Sequence, residues 1–155
     1  MKNKLPIMGI DPGNEKTAIV IIDKGKIVFH ELDLNKQISF ILKNKELPKN
    51  VGIEMISSYG MPVGQSIFET CLWIGRFVEI LVSCNIIPVL IYRKDVKMEL
   101  CNSVRAKDGN IRQALIDRYG APGTKKKPGI TYGISKDKWA ALGVAETLSK
   151  MINKK

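Results

Sequence analysis

Three short apolar segments follow one another near the start of the chain, at residues 5–11, 17–22 and 26–32, parted only by the turn formers Pro12-Gly13-Asn14 and Asp23-Lys24-Gly25. Runs this short with turn chemistry between them leave no length for crossovers, and they predict three sequential strands in an antiparallel meander. The period then changes. Asn35 is placed to cap a helix reaching about residue 47, with Ile38, Ile41 and Leu42 on one face and Pro48 stopping it. Residues 51–55 read as a buried strand. A loop rich in Ser, Gly and Pro (57–64) leads into a long helix over 65–83. Ile67, Cys71, Ile74, Val78 and Val82 make one apolar stripe of that helix, and Trp73, Phe77 and Ile80 make a second. One face packs on the sheet, and the other needs cover from further chain or from a second copy.

Residues 86–91 read as another strand, which Pro88 assigns to an edge or a bulge. Two helices broken near 102–109 fill residues 94–120, the second with Ile111, Ala114 and Leu115 on one face. A basic loop over 121–135 precedes a last helix, capped by Ser135 and opened by Asp137, that buries Ala140, Ala141, Val144 and Leu148. With 155 residues the chain suits one domain, 1–155, around a single sizeable core. The order of elements predicts an α/β fold, a mixed five-stranded sheet with helices on both faces, and resembles the layout of the ribonuclease H-like fold.

Lys and Arg number 25 against 15 acids, a formal net charge of +10 that favours a polyanionic partner through counterion release. No run of about 18 apolar residues is present to span a bilayer, and Asp11 interrupts the N-terminal apolar stretch before it reads as an export signal. No membrane partner and a cytoplasmic location are expected. Cys71, Cys84 and Cys101 are widely spaced and a single His30 accompanies them, so buried, reduced thiols are expected rather than a zinc site.

Three acids occupy positions with chemical potential. Asp11 ends the first strand in Gly9-Ile10-Asp11-Pro12-Gly13, where it either holds a ligand at the sheet's end or starts the turn. Glu54 is embedded in the apolar Val51-Gly52-Ile53-Glu54-Met55-Ile56, where an unpaired charge costs several kcal/mol by rough estimate. A Lys or Arg, or a hard divalent cation shared with Asp11, must compensate it. Asp137 opens the last helix on the side that meets the sheet, although an acid in a first turn also complements the helix dipole. Together, Asp11, Glu54 and Asp137 are suited to hold Mg²⁺ (or Mn²⁺), with two ions per site set about 3.5–4 Å apart.

On these residues the chain resembles the RuvC-like Holliday junction resolvases over nearly its whole length. Gly9-Ile10-Asp11-Pro12-Gly13 looks like the family's first catalytic strand, Ile53-Glu54 like its second acidic position, and Asp137 with Trp139-Ala140-Ala141-Leu142-Gly143-Val144-Ala145 like its last catalytic helix. Ile53-Glu54-Met55, Ser58-Tyr59-Gly60-Met61-Pro62-Val63-Gly64, Phe68-Glu69-Thr70 and Arg105-Ala106-Lys107-Asp108 are similar to the phage-encoded branch. The pattern departs at Ala140, where cellular members usually carry another acid. Asp108 and Glu146 are the spare acids, the first expected to cap a helix and the second lying more than two turns beyond Asp137.

The resemblance implies a metal-dependent endonuclease that nicks four-way and other branched DNA symmetrically, as a homodimer with two related sites. Arg105, Lys107 and Arg112 are expected to contact phosphates, as is the Lys125-Lys126-Lys127 run unless it is merely a solvated surface. Tyr59 and Met61 either wedge against unpaired bases or pack in the core. An RNA-processing nuclease of the same fold and a junction-binding protein with weakened catalysis are the alternatives.

Overall fold

Alternation along the first strand, β1 (Ile7–Asp11), sorts the whole molecule into two layers of helices. In the computed structural model, which describes residues 5–155, Met8 and Ile10 face one side of the sheet and Ile7, Gly9 and Asp11 the other. The expectation for residues 1–4, that they open no export signal, lies outside the described residues. Around β1 the sheet order is β3-β2-β1-β4-β5, with β2 (Lys16–Asp23) and β3 (Lys26–Leu34) forming the expected antiparallel meander. β4 (Asn50–Met55) and β5 (Val89–Tyr92) run parallel to β1; β5 is an edge, as Pro88 implied, but it begins after that proline and reaches Tyr92 rather than spanning residues 86–91.

Helices α1 (Asn35–Asn44) and α2 (Gln65–Ser83) cover the face of Met8, Ile10, Ile19, Ile21, Val51 and Ile53. The opposite face, with Ile7, Ala18, Val20 and Ile22, lies under α3 (Arg93–Cys101), α4 (Asp108–Tyr119) and α5 (Asp137–Asn153). Each side has its own apolar cluster, so the central strands β1, β2 and β4 are buried on both faces, as the hydrophobic runs in β1 and β4 require.

Five local expectations are corrected. Asn35 is the first residue of α1 rather than its cap, and the helix ends at Asn44, before Pro48. Its side chain has a longer-range task, accepting a hydrogen bond from the Thr17 hydroxyl at 2.6 Å and donating one to the Gly13 carbonyl at 2.9 Å. Those bonds tie the turn after Asp11 to the start of α1. Lys136 and Lys107, not Ser135 and Asp108, precede α5 and α4 as their N-caps. On α2 the buried stripe is Thr70, Ile74, Phe77 and Leu81, so Phe77 belongs to the core and is unavailable to a second copy. The three free cysteines are half-buried.

The helix that covers the sheet's centre sits unusually close to it. A β-carbon on Gly9 would lie 2.1 Å from the Ala141 carbonyl oxygen and 2.6 Å from the Ala145 nitrogen, and one on Gly52 would lie 3.0 Å from Val144. Glycine is required at position 9 for this approach. Midway along α5, Glu146 is buried, paired with Arg118 Nε at 2.5 Å and accepting a 2.6 Å hydrogen bond from Tyr119. This spare acid is committed to the core's other end, beside Ile7 and Ile22.

Candidate active site

Register brings the first two acids together. β1 and β4 are parallel and pair Ile10 with Ile53, so Asp11 and Glu54 follow at adjacent carboxyl ends of neighbouring strands. The strand period of two directs both side chains to the α5 face, since Met8 and Ile10, like Val51 and Ile53, belong to the opposite one. Asp137 comes to the same end because α5 runs back along β1 from its first residue, with Ala141 against Gly9. The carboxyl ends of parallel strands are where α/β sheets bind ligands.

Burial pushes the Asp11 carboxyl up to about 10 from its ordinary 3.8, helped by a hydrogen bond and repulsion from Glu54 and by the charge of Asp137, while Arg93 opposes the shift. Asp11 therefore tends to hold its proton when no cation stands beside it. The same electrostatics suit a hard divalent ion, which would replace that proton and relieve the repulsion. Among the described residues no group of three or more acidic, His or Cys side chains stands together at metal-ligating spacing. The donor set nevertheless fits Mg²⁺, which is commonly held by one or two carboxylates with waters and substrate phosphate completing its shell. Asp11 and Glu54 would supply the pair, with Asp137 adding charge from the helix.

A pH dependence follows from Asp11. Its raised folded-state value makes protonation stabilising, in full below about pH 3.8 and lost progressively as pH rises toward 10. Thermal melts without divalent ions are expected to show Asp11→Asn gaining on wild type between pH 5 and 9, by a margin on the order of 5 °C. Mg²⁺ is expected to narrow the gap. Parallel melting profiles would mean that Asp11 ionises normally.

A cavity of about 260 Å³ opens beside the acids, lined by Asp11, Pro12, Glu54, Met55, Ile56, Ser57, Tyr59 and Arg93. Tyr59 is 61% exposed and Met61 70%, so both project from the loop and neither packs in the core. Arg105 and Lys107 are exposed beside the start of α4, and Arg112 stacks over Trp139, 5.0 Å from the ring centroid. Lys125, Lys126 and Lys127 are exposed on a tight hairpin closed by reciprocal backbone bonds between Thr124 and Lys127. Sequence reasoning missed Arg93, whose Nη1 lies 3.7 Å from Glu54 Oε1 and whose Nη2 pairs with Asp108. Its signal was its position as the residue immediately after β5, the strand that flanks Glu54.

A mixed sheet of order 3-2-1-4-5 with helices on both faces is the layout of the ribonuclease H-like fold. Among solved structures the chain is similar to RuvC of Thermus thermophilus, with TM-score 0.70 and 14% identity over 96% of this chain and 97% of that one. T. thermophilus RuvC in complex with Holliday junction substrate matches equally well, at TM-score 0.70 and 14% identity over 97% and 94%. The yeast mitochondrial Holliday junction resolvase Ydc2 follows at TM-score 0.61 and 9% identity, over 93% of this chain and 78% of that one. No family model and no curated protein matches the sequence. At these identities the likeness is one of fold.

Proposed function

We propose that this chain is a divalent-metal-dependent endonuclease that nicks opposed strands of four-way and other branched DNA. The observation that carries the reading is the convergence of Asp11 and Glu54 on adjacent strand ends, under the start of the helix that carries Asp137. Bound Mg²⁺ or Mn²⁺ would supply an activated water and charge stabilisation at the phosphate. Asp11 and Glu54 would orient the attacking group. The net charge of +10 and the exposed Arg105, Lys107 and hairpin lysines favour a nucleic acid as partner. A RuvC of the same fold has been captured on a Holliday junction.

Cutting two opposed strands calls for a homodimer. The exposed Phe68 and Leu72, with the half-buried Trp73 and Ile80 on the same helix, are its proposed surface. The test is a nicking assay on a synthetic four-way junction and its component duplexes, with Mg²⁺ and with chelator. Paired nicks in the junction alone, dependent on the metal, are expected. Intact junctions, or duplexes cut equally well, would defeat the reading.

A further inference from the structure

Arg93 is the basic residue that lines the acid cavity, and its guanidinium faces two ways. Nη2 is committed to the exposed Asp108, which opens α4. Nη1 turns inward, is buried, and has no hydrogen-bond partner among the described residues, because Glu54 Oε1 stands at 3.7 Å, beyond hydrogen-bond reach. A buried donor left without an acceptor is costly, so an arginine held this way is set up for an oxygen that arrives with a ligand. The cavity that Arg93 lines is also lined by Asp11, Glu54 and Tyr59.

We propose that Arg93 grips the phosphodiester to be cut, donating from Nη1 to a non-bridging oxygen while Asp108 keeps the guanidinium turned toward the cavity. The identity of that phosphate rests on the nuclease reading above. Two carboxyls repel a phosphate, and an arginine facing them offsets that repulsion while its planar fork fixes the direction of approach. A lysine keeps the charge without the fork. If Arg93 were only a counter-ion to Glu54, it would need no second anchor on Asp108 and no face on the cavity.

The test uses four-way junctions that each carry one uncharged methylphosphonate linkage near the branch point, with affinity measured in chelator. One linkage is expected to cost wild type about tenfold in affinity and to cost Arg93→Ala nothing further, because the lost contact is the same one. Arg93→Lys should recover part of the affinity but little of the cleavage rate in Mg²⁺. The sensitive linkage should also be the one wild type cuts. Penalties that all persist in Arg93→Ala, or a sensitive linkage that is not the cut one, would overturn the assignment. Should the alanine variant fail to fold, Arg93→Gln takes its place in the same comparison. Junctions bound but left uncut by wild type would defeat the nuclease reading alone, since the affinity coupling is read without cleavage.

Discussion

Asp11→Asn is expected to abolish strand cleavage, lowering the single-turnover rate by about a thousandfold or more, while junction affinity stays largely intact. An amide keeps the shape of the side chain and its place at the end of β1, but it cannot offer a charged oxygen to a hard cation. Glu54→Gln should behave in the same way, because the two acids stand side by side and act as one unit. Asp137→Asn should also be severe, since that carboxylate adds its charge to the site from α5. Cleavage and binding are measured separately on one junction, the first in Mg²⁺ and the second in chelator. A wild-type cleavage rate in any of these variants would remove that residue from the site.

The largest effect on stability is expected from a single methyl group. Gly9→Ala should destabilise the fold by at least about 3 kcal/mol, a drop of about 6–12 °C in melting temperature for a domain of this size. The added β-carbon would meet backbone atoms of Ala141 and Ala145, which have no rotamer to escape into, so α5 must lift from the sheet. Lifting α5 also carries Asp137 away from Asp11. Gly75→Ala is the control, because it lies in α2 with nothing within 4 Å of the added atom, and helix propensity there favours alanine by about 1 kcal/mol. Urea and thermal unfolding of the two variants decide the matter, and a Gly9→Ala protein within about 0.5 kcal/mol of wild type would refute the close approach.

Local chemistry made much of this arrangement readable in advance. Both bounds of α2 and the first residue of α5 follow from the change of period and from the breakers around them. Asp11 and Glu54 stand out as candidates because a charge in an apolar strand, or at a strand's end, conflicts with its surroundings, and Asp137 because it opens the last helix. What local reasoning could not reach were partners distant in sequence. Asn35 looks like a cap until Thr17 and Gly13 are brought beside it. Phe77 lies on a helix with apolar residues on more than one face, and only the packing of α1 and the sheet selects the stripe that is buried. Arg93 was overlooked because one residue of uncertainty at the end of β5 separates a strand residue from one at the mouth of the cavity.

The seating of α5 on Gly9 and Gly52 also imposes an order of events on a newly made chain. Asp11 and Glu54 are synthesised early and Asp137 late, so at roughly 5–20 residues per second the strand acids precede the helix by on the order of ten seconds. Throughout that interval the bed formed by Ile7, Ala18, Val20 and Ile22 lacks its cover from α5, a surface on which chaperones and proteases can compete. The nascent chain therefore carries an incomplete site, and docking of the last helix both protects the core and completes the set of acids. Translation itself thus delays completion of the acid set until α5 has been made and docked.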